Sequence, residues 1–140
     1  LAELAELRAR TPIPIIADES VGTLGEAERM ISTGACDAAT LKLAKVGGPR
    51  AALRIAAAAP CYLSSALDGP LGIAAALHTA QAMPRRGFAA GLAQGLATHT
   101  MFAASYADAD HLSGANPMPP AAPGLGVEID PSRLGALELR

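Results

Sequence analysis

The sequence predicts an α/β fold in which about four βα units form half of a (β/α)-barrel. Short apolar segments alternate with amphipathic Ala-rich segments in a repeat of about 25 residues. In addition, a polar residue or a glycine stands at the carboxyl end of each predicted strand: Asp18, Lys42, Ser64 and Gly91. In a barrel these ends converge on one mouth, whereas a doubly wound sheet spreads them along a line. The barrel therefore accounts for all four positions together.

The bounds of the predicted elements follow from the glycine, proline and capping residues between the apolar segments. The predicted strands cover residues 13–17, 38–43, 61–64 and 88–91. The first helix begins near Thr23, where Thr-Leu-Gly-Glu has capping-box spacing, and it ends at Gly34. Pro49 is placed where a first-turn proline is tolerated. The remaining predicted helices cover residues 50–59, 70–83 and 97–104.

The two ends of the chain differ from this repeat. Residues 1–8 have helical spacing without an initiator methionine, so we expect a piece of a longer protein. After Tyr106 the sequence becomes rich in proline and glycine. We therefore predict a partial barrel over residues 1–106 and a tail over residues 107–140.

Composition excludes several function classes. The net charge of −2 and the 3% of aromatic residues give no basic face or stacking platform for nucleic acid. No apolar run approaches the roughly 20 residues that span a bilayer, and the first residues are no signal peptide, so we expect a cytoplasmic protein and no membrane partner. Cys36 and Cys61 lack metal-site spacing and are expected to be buried.

Four motifs in order carry a resemblance to a known family. They are Ala-Asp-Glu-Ser at 17–20, Leu-Lys at 41–42 with Gly-Gly five residues beyond the lysine, Ser-Ser-Ala-Leu-Asp at 64–68, and Pro-Leu-Gly at 70–72. Together they resemble the carboxyl-terminal half of an enolase-superfamily barrel, strands five to eight, in the muconate-lactonising subgroup. Within it they most resemble the o-succinylbenzoate synthase family, the dehydratases of menaquinone biosynthesis. The tail at 123–130 resembles the segment that returns to the capping domain of that superfamily.

The resemblance implies that Asp18 is one of three carboxylates that bind Mg²⁺, a hard cation that prefers oxygen ligands. Taken alone, an Asp at this place also suits a cap of the turn before the Thr23 helix. Glu19 is implied to be at most a neighbour of the metal ligand, and a solvated carboxylate is an equal alternative.

Lys42 corresponds to the lysine on the sixth strand. In this superfamily a proton next to a substrate carboxylate is removed, and this lysine helps to stabilise the resulting enediolate through its positive charge. In o-succinylbenzoate synthases a lysine on the second strand is the base, and it then serves as the acid for syn loss of hydroxide. In racemising relatives the position of Lys42 is itself an acid or base. The alternative, an exposed lysine with a snorkelling stem, suits Lys45 better, since Lys42 lies inside an apolar strand.

Further residues correspond to the substrate side of the family's site. Ser64 and Ser65 are implied to contact the succinyl side of the substrate, although a turn-forming role is compatible with both. Asp68 is expected to hold the same loop. Gly91 and Leu92 stand where dipeptide epimerases carry an Asp-x-Asp pair that holds a substrate ammonium. That pair is absent here, which argues against an amino-acid-amide substrate and toward a neutral or carboxylate-bearing side group. The histidines match no catalytic position: His78, His99 and His111.

The family's other site groups have no counterpart in these 140 residues. The Lys-x-Lys of the second strand and two metal carboxylates are expected from an amino-terminal half of the barrel, which we predict as the partner of this chain, beside a small carboxylate substrate and Mg²⁺. The chain alone is predicted to be inactive as a dehydratase. The alternatives are a muconate cycloisomerase or N-acylamino acid racemase, a phosphate-binding half-barrel using Gly47 and Gly48, and a non-catalytic half-barrel or assembly module.

Overall fold

The computed structural model describes residues 2–103, 105–114 and 116–134, and its centre is a parallel three-stranded sheet. Strands alternate with helices along the chain, as the sequence predicts. The elements are α1 (Ala2–Arg10), β1 (Ile16–Ala17), α2 (Leu24–Thr33), β2 (Ala38–Leu41), α3 (Leu43–Val46), α4 (Pro49–Ala58), β3 (Cys61–Leu63) and α5 (Pro70–Ala82). Four 3₁₀ helices come after α5 within the described residues: Phe88–Gly91, Thr98–Met101, Asp110–Leu112 and Pro131–Arg133.

The strand order β1-β2-β3 equals the chain order, and both pairs are parallel. Ile16 lies opposite Ala38, and Leu41 lies opposite Leu63. Consecutive parallel strands joined by helices are the repeating unit of a (β/α)-barrel. The α/β class and the partial barrel predicted from the sequence are therefore confirmed.

The helix boundaries follow the predicted caps. The hydroxyl of Thr23 accepts a hydrogen bond from the backbone N–H of Glu26, while the Glu26 carboxylate accepts the hydroxyl of Thr23 and the N–H of Gly22. Gly34 ends α2 in the left-handed region at φ 59°, a conformation that glycine adopts without steric cost. Pro49 starts α4 at a position where no intrahelical donor is needed.

One face of the sheet packs against the helices. Leu41 and Leu63 are fully buried there with side chains from α2, α4 and α5: Met30, Ile55 and Ile73. Successive side chains of a strand point to opposite faces, so Thr40 and Lys42 lie on the other face. Cys36 and Cys61 are free and buried, as the sequence predicts.

Three strands are shorter than predicted, and the third of them loses only Ser64, since β3 ends at Leu63. The strand predicted at 13–17 is reduced to Ile16–Ala17, because Pro12 and Pro14 have no N–H to give to a neighbouring strand. The strand predicted at 38–43 ends at Leu41, because Lys42 begins the short helix α3, which the sequence did not predict.

The predicted fourth strand is wrong: residues Phe88–Gly91 form a 3₁₀ helix. Gly87 turns the chain at φ 54°, and two alanines at 89–90 have little preference for a strand. Parallel pairing occurs later, where Gly95 forms a bridge with Ser64. The fourth position of the sheet therefore exists as a single bridge, displaced by four residues from the predicted strand end at Gly91.

The last part of the chain contains little regular structure. The helix predicted at 97–104 is reduced to Thr98–Met101, and residue 104 lies outside the described residues. Ala107 and Ile129 form an antiparallel bridge, supported by a 2.9 Å hydrogen bond from the N–H of Asp130 to the carbonyl of Tyr106. Residues 135–140 also lie outside the described part, and the domain division at residue 106 stays a prediction. Within the described residues, helices of the length and apolarity that a bilayer crossing requires are absent.

Candidate active site

The parallel pairing of β1 and β2 brings two predicted site residues together. Asp18 follows β1 directly, and Lys42 follows β2 directly. The Nζ atom of Lys42 lies 2.6 Å from Oδ1 of Asp18 and 2.6 Å from Oε1 of Glu19. Each of these residues is at the carboxyl end of its strand, which is the end where barrel enzymes place their chemistry.

A second lysine joins this group. Lys45 donates a hydrogen bond to Oε2 of Glu19, so the Glu19 carboxylate bridges Lys42 and Lys45. The prediction of Lys45 as a merely exposed lysine is therefore incomplete: its side chain is 50% exposed, but its ammonium is paired. The sequence carries no signal for this pairing, because the pairing depends on α3, a turn that the sequence did not predict.

Lys42 is the most enclosed member of the group. Its side chain is 14% exposed, whereas that of Glu19 is 59% exposed. Hydrogen bonds to Asp18 and then to Glu19 raise the pKa of Lys42, which therefore carries its positive charge at neutral pH. Hydrogen bonds from Lys42 and Lys45 lower the pKa of Glu19 to about 2.

The backbone around Lys42 is held by α3. The carbonyl of Lys42 accepts hydrogen bonds from the N–H groups of Lys45 and Val46, at 2.9 and 3.0 Å. Gly47 then ends the turn with φ 91°, a value that L side chains rarely adopt. This tight turn fixes the direction in which the Lys42 side chain leaves the strand.

The predicted substrate residues after β3 lie next to the displaced fourth strand position. Ser65 is buried, and both its backbone N–H and its hydroxyl donate to the carbonyl of Gly95, each at 2.9 Å. The hydroxyl of Ser64 makes a longer contact of 3.4 Å with the same oxygen. Asp68 accepts the N–H of Ala66 at 3.0 Å, a hydrogen bond within the loop that the sequence expects it to hold.

Two residues beneath the site were missed by the sequence analysis. The hydroxyl of Thr40 donates to the phenolic oxygen of Tyr62 at 2.8 Å, and the two residues are opposite each other in the sheet. Thr40 precedes Lys42 by two residues and Tyr62 precedes Ser64 by two, which places all four on one face. Because side chains two residues apart on a strand share a face, counting back two residues from Lys42 and from Ser64 identifies Thr40 and Tyr62.

Gly91 and Leu92 do not lie at a strand end, contrary to the prediction. Gly91 ends the 3₁₀ helix and Leu92 comes directly after it, and both line a cavity of about 710 Å³ beside α5. His99 also lines this cavity; its Nε2 lies 3.0 Å from the hydroxyl of Ser113, and burial lowers its pKa. The strand-end position belongs to Gly95 instead, because pairing with β3 occurs there.

The described residues contain no group of three or more potential ligands that would hold a metal ion. Asp18 fits the role of a single ligand. Its carboxylate is 56% exposed, and its Oδ1 already contacts a positive group, the ammonium of Lys42. Mg²⁺ is commonly held by one or two carboxylates together with water and substrate oxygens, so Asp18 supplies part of a site rather than a complete one.

Comparison with known proteins identifies the family. The family described as Enolase C-terminal domain-like matches residues 1–133. The chain belongs to the enolase superfamily. This enolase-superfamily chain is 47% identical over 97 residues to the o-succinylbenzoate synthase of Mycobacterium bovis, an alignment that covers 68% of the chain and 30% of that protein.

Solved structures place the chain beside the muconate-lactonising subgroup of the enolase superfamily. A mandelate racemase/muconate-lactonising enzyme from Roseovarius nubinhibens, complexed with magnesium, is 35% identical with a TM-score of 0.79, covering 96% of this chain and 38% of that one. The muconate cycloisomerase of Pseudomonas fluorescens is 29% identical with a TM-score of 0.78, covering 95% and 37%. The chain thus spans well under half of the length of the relatives it matches.

Proposed function

We propose that this chain forms the carboxyl-terminal half of the barrel of an o-succinylbenzoate synthase, a lyase of menaquinone biosynthesis. The observation that carries the proposal is the contact between Lys42 and Asp18 at neighbouring strand ends, at 2.6 Å. These are the two positions that the family motifs reserve for the enediolate-facing lysine and a metal carboxylate. The 47% identity to a named o-succinylbenzoate synthase supports the choice within the superfamily.

Lys42 supplies a fixed positive charge to this reaction. Removal of a proton next to a carboxylate leaves negative charge on the substrate, and a cation that is already in place stabilises it without reorganisation. The enclosed side chain and the raised pKa of Lys42 keep this cation in position and charged. The base is proposed to be a lysine of the amino-terminal half, whose ammonium form then protonates the departing hydroxide so that water leaves on the same face.

Asp18 is proposed as one of three carboxylate ligands of Mg²⁺, and the other two are proposed to come from the amino-terminal half. When bound, the ion supplies Lewis acidity and binds the substrate carboxylate. Ser64 is proposed to contact the succinyl side of the substrate. Ser65 is the weaker candidate for that contact, since its hydroxyl is already bonded to Gly95. The contributions of Gly91 and Leu92 to substrate binding stay predictions.

The chain alone is proposed to be inactive, because one carboxylate and one lysine make up half of the required site. The test is complementation: the chain is mixed with a separately expressed amino-terminal half, and conversion of the synthase substrate is measured by chromatography. Activity only in the mixture supports the proposal. The control is the same mixture made with the Arg54→Met variant, which changes an exposed residue of a helix and is expected to leave the recovered activity unchanged. Turnover by the purified 140-residue chain without the other half would refute the proposed inactivity.

A second candidate is a muconate cycloisomerase, which the similarity to the muconate cycloisomerase of Pseudomonas fluorescens supports. An N-acylamino acid racemase of the same superfamily is the third activity to be compared. The three activities share an enediolate next to a carboxylate. The synthase and the racemase form it by removing a proton, whereas the cycloisomerase forms it by adding a carboxylate oxygen to the diene and then protonates it. Comparing kcat/KM of the full-length protein for the synthase substrate, cis,cis-muconate and an N-succinylamino acid discriminates among them.

A further inference from the structure

The Glu19 carboxylate lies between two ammonium groups and divides its oxygens between them. Oε1 accepts from Lys42 at 2.6 Å, and Oε2 accepts from Lys45. We propose that Lys45 is a positioning residue for Lys42 that acts through the carboxylate of Glu19. The inference rests on the proposed function, because it assigns a task to Lys45 in the chemistry of Lys42.

The freedom of the Glu19 side chain makes a second contact necessary. The side chain is 59% exposed, so packing against neighbouring residues does little to hold its direction. A carboxylate bound by one lysine can rotate toward solvent and take that contact away. A second lysine on its other oxygen restricts this rotation, and Lys45 is the described residue that makes the second contact.

A backbone hydrogen bond also links the two lysines. The N–H of Lys45 donates to the carbonyl of Lys42 at 2.9 Å, within the single turn of α3 that Gly47 ends. Lys45, Glu19 and Lys42 thus form a closed loop, with two ion pairs on the side-chain path and a hydrogen bond on the backbone path. A displacement of the Lys42 ammonium therefore has to disturb Glu19 and Lys45 as well.

The proposed chemistry is sensitive to the position of this ammonium. The Lys42 ammonium stands at the end of a long flexible stem, and a displacement of about 1 Å in a catalytic group costs up to a hundredfold in rate. Ion pairs as exposed as that of Lys45 contribute little to overall stability. Loss of Lys45 is therefore expected to change turnover while leaving the fold intact.

The kinetic test uses the full-length protein that carries this chain. Lys45→Met is expected to lower kcat about tenfold while KM and the melting temperature stay unchanged, and Lys45→Arg is expected to restore most of the loss. Arg54→Met, which also removes one exposed positive charge, is the matched control and is expected to behave like the wild type. Unchanged kcat in Lys45→Met, or a loss that Lys45→Arg shares in full, overturns the proposal.

A second readout separates this inference from the proposed function. In protein labelled with ¹⁵N-lysine, the NH₃⁺ signal of Lys42, assigned by its loss in Lys42→Arg, is expected to be observable because the ammonium is held. It is expected to broaden in Lys45→Met and in Glu19→Gln but not in Arg54→Met. If the protein fails to dehydrate the synthase substrate while this pattern holds, the proposed function fails and the positioning by Lys45 stands. A Lys42 signal unaffected by Lys45→Met sinks the positioning role whatever the activity.

Discussion

Asp18 and Lys42 are 24 residues apart in the chain, yet Oδ1 and Nζ lie 2.6 Å from each other. The register of the sheet produces this contact, since Ile16 lies opposite Ala38 and each strand then ends with its charged residue. In this arrangement a candidate metal ligand and a candidate catalytic cation share one strand-end edge. The contact therefore gives two predictions that separate the roles of the two residues.

Lys42→Ala is expected to lower turnover of the full-length protein by about 10²–10³-fold, the loss typical of removing one preorganised group that faces developing charge. Mg²⁺ affinity is expected to change little, because the substitution leaves Asp18 in place. Steady-state kinetics and calorimetric metal titration measure the two effects. Normal turnover together with weakened metal binding would reverse the assignment of roles.

Asp18→Asn is expected to weaken Mg²⁺ binding, and at low Mg²⁺ concentration to lower turnover as a consequence. The amide keeps the size of the side chain but removes the charge, and Mg²⁺ affinity depends on the number of charged oxygen ligands. We expect affinity to fall by about tenfold or more, with part of the activity restored at high Mg²⁺. Glu19→Gln is the matched comparison, and metal affinity as weak in Glu19→Gln as in Asp18→Asn would contradict the assignment of Asp18.

The sequence predicts where the site residues lie along the chain better than it predicts which of them contact each other. Strand order and the ends at Asp18 and Lys42 follow from apolar runs and punctuation, which are local signals. The prediction of a strand at 88–91 was wrong because its alanines, with Gly87 before them and Gly91 after them, allow a tight turn as readily as a strand. The bridge at Gly95 and the pairing of Lys45 with Glu19 depend on contacts between segments distant in sequence, which no local pattern encodes.

The ion pairs of Glu19 predict a pH dependence of stability. Lys42 and Lys45 lower the pKa of Glu19 from 4.5 to about 2. A carboxyl with a depressed pKa in the folded state stabilises the fold fully above its unfolded pKa, and this contribution is lost as pH falls through the folded value. The difference in unfolding free energy between wild type and Glu19→Gln is therefore expected to shrink from pH 4.5 toward pH 2.

Urea unfolding at a series of pH values measures that difference. The same comparison in a Lys42→Met/Lys45→Met background is the control, since the two lysines cause the shift. A difference that stays constant across the acid range would contradict the lowered pKa of Glu19 in the folded protein.

The two cysteines are expected to be unreactive in the folded protein. Burial raises the pKa of Cys61 to about 12, and burial also raises the pKa of Cys36. The thiolate is the reactive form, so labelling by a thiol reagent at pH 8 is expected to be slow for both residues until the protein is unfolded. Mass spectrometry after labelling with and without denaturant tests this, and rapid native labelling of Cys61 would contradict its position in β3.

Ser64 and Ser65 are adjacent and both contact the carbonyl of Gly95, but the structure gives them different tasks. Ser65 is 8% exposed, and its hydroxyl makes a 2.9 Å bond that helps to attach the fourth sheet position to β3. Ser65→Ala is therefore expected to lower the free energy of unfolding by about 1 kcal/mol with little change in KM. Ser64 is more exposed, and its 3.4 Å contact is near the limit of a hydrogen bond.

Ser64→Ala is expected to leave stability nearly unchanged and to raise KM for the synthase substrate, because its hydroxyl remains available to a ligand. Urea unfolding and steady-state kinetics on the two variants in the full-length protein provide the comparison, with each serine as the control for the other. The opposite result, a KM effect confined to Ser65→Ala, would mean that the buried hydroxyl leaves Gly95 when substrate binds. In that case the attachment of the fourth sheet position would depend on whether the site is occupied.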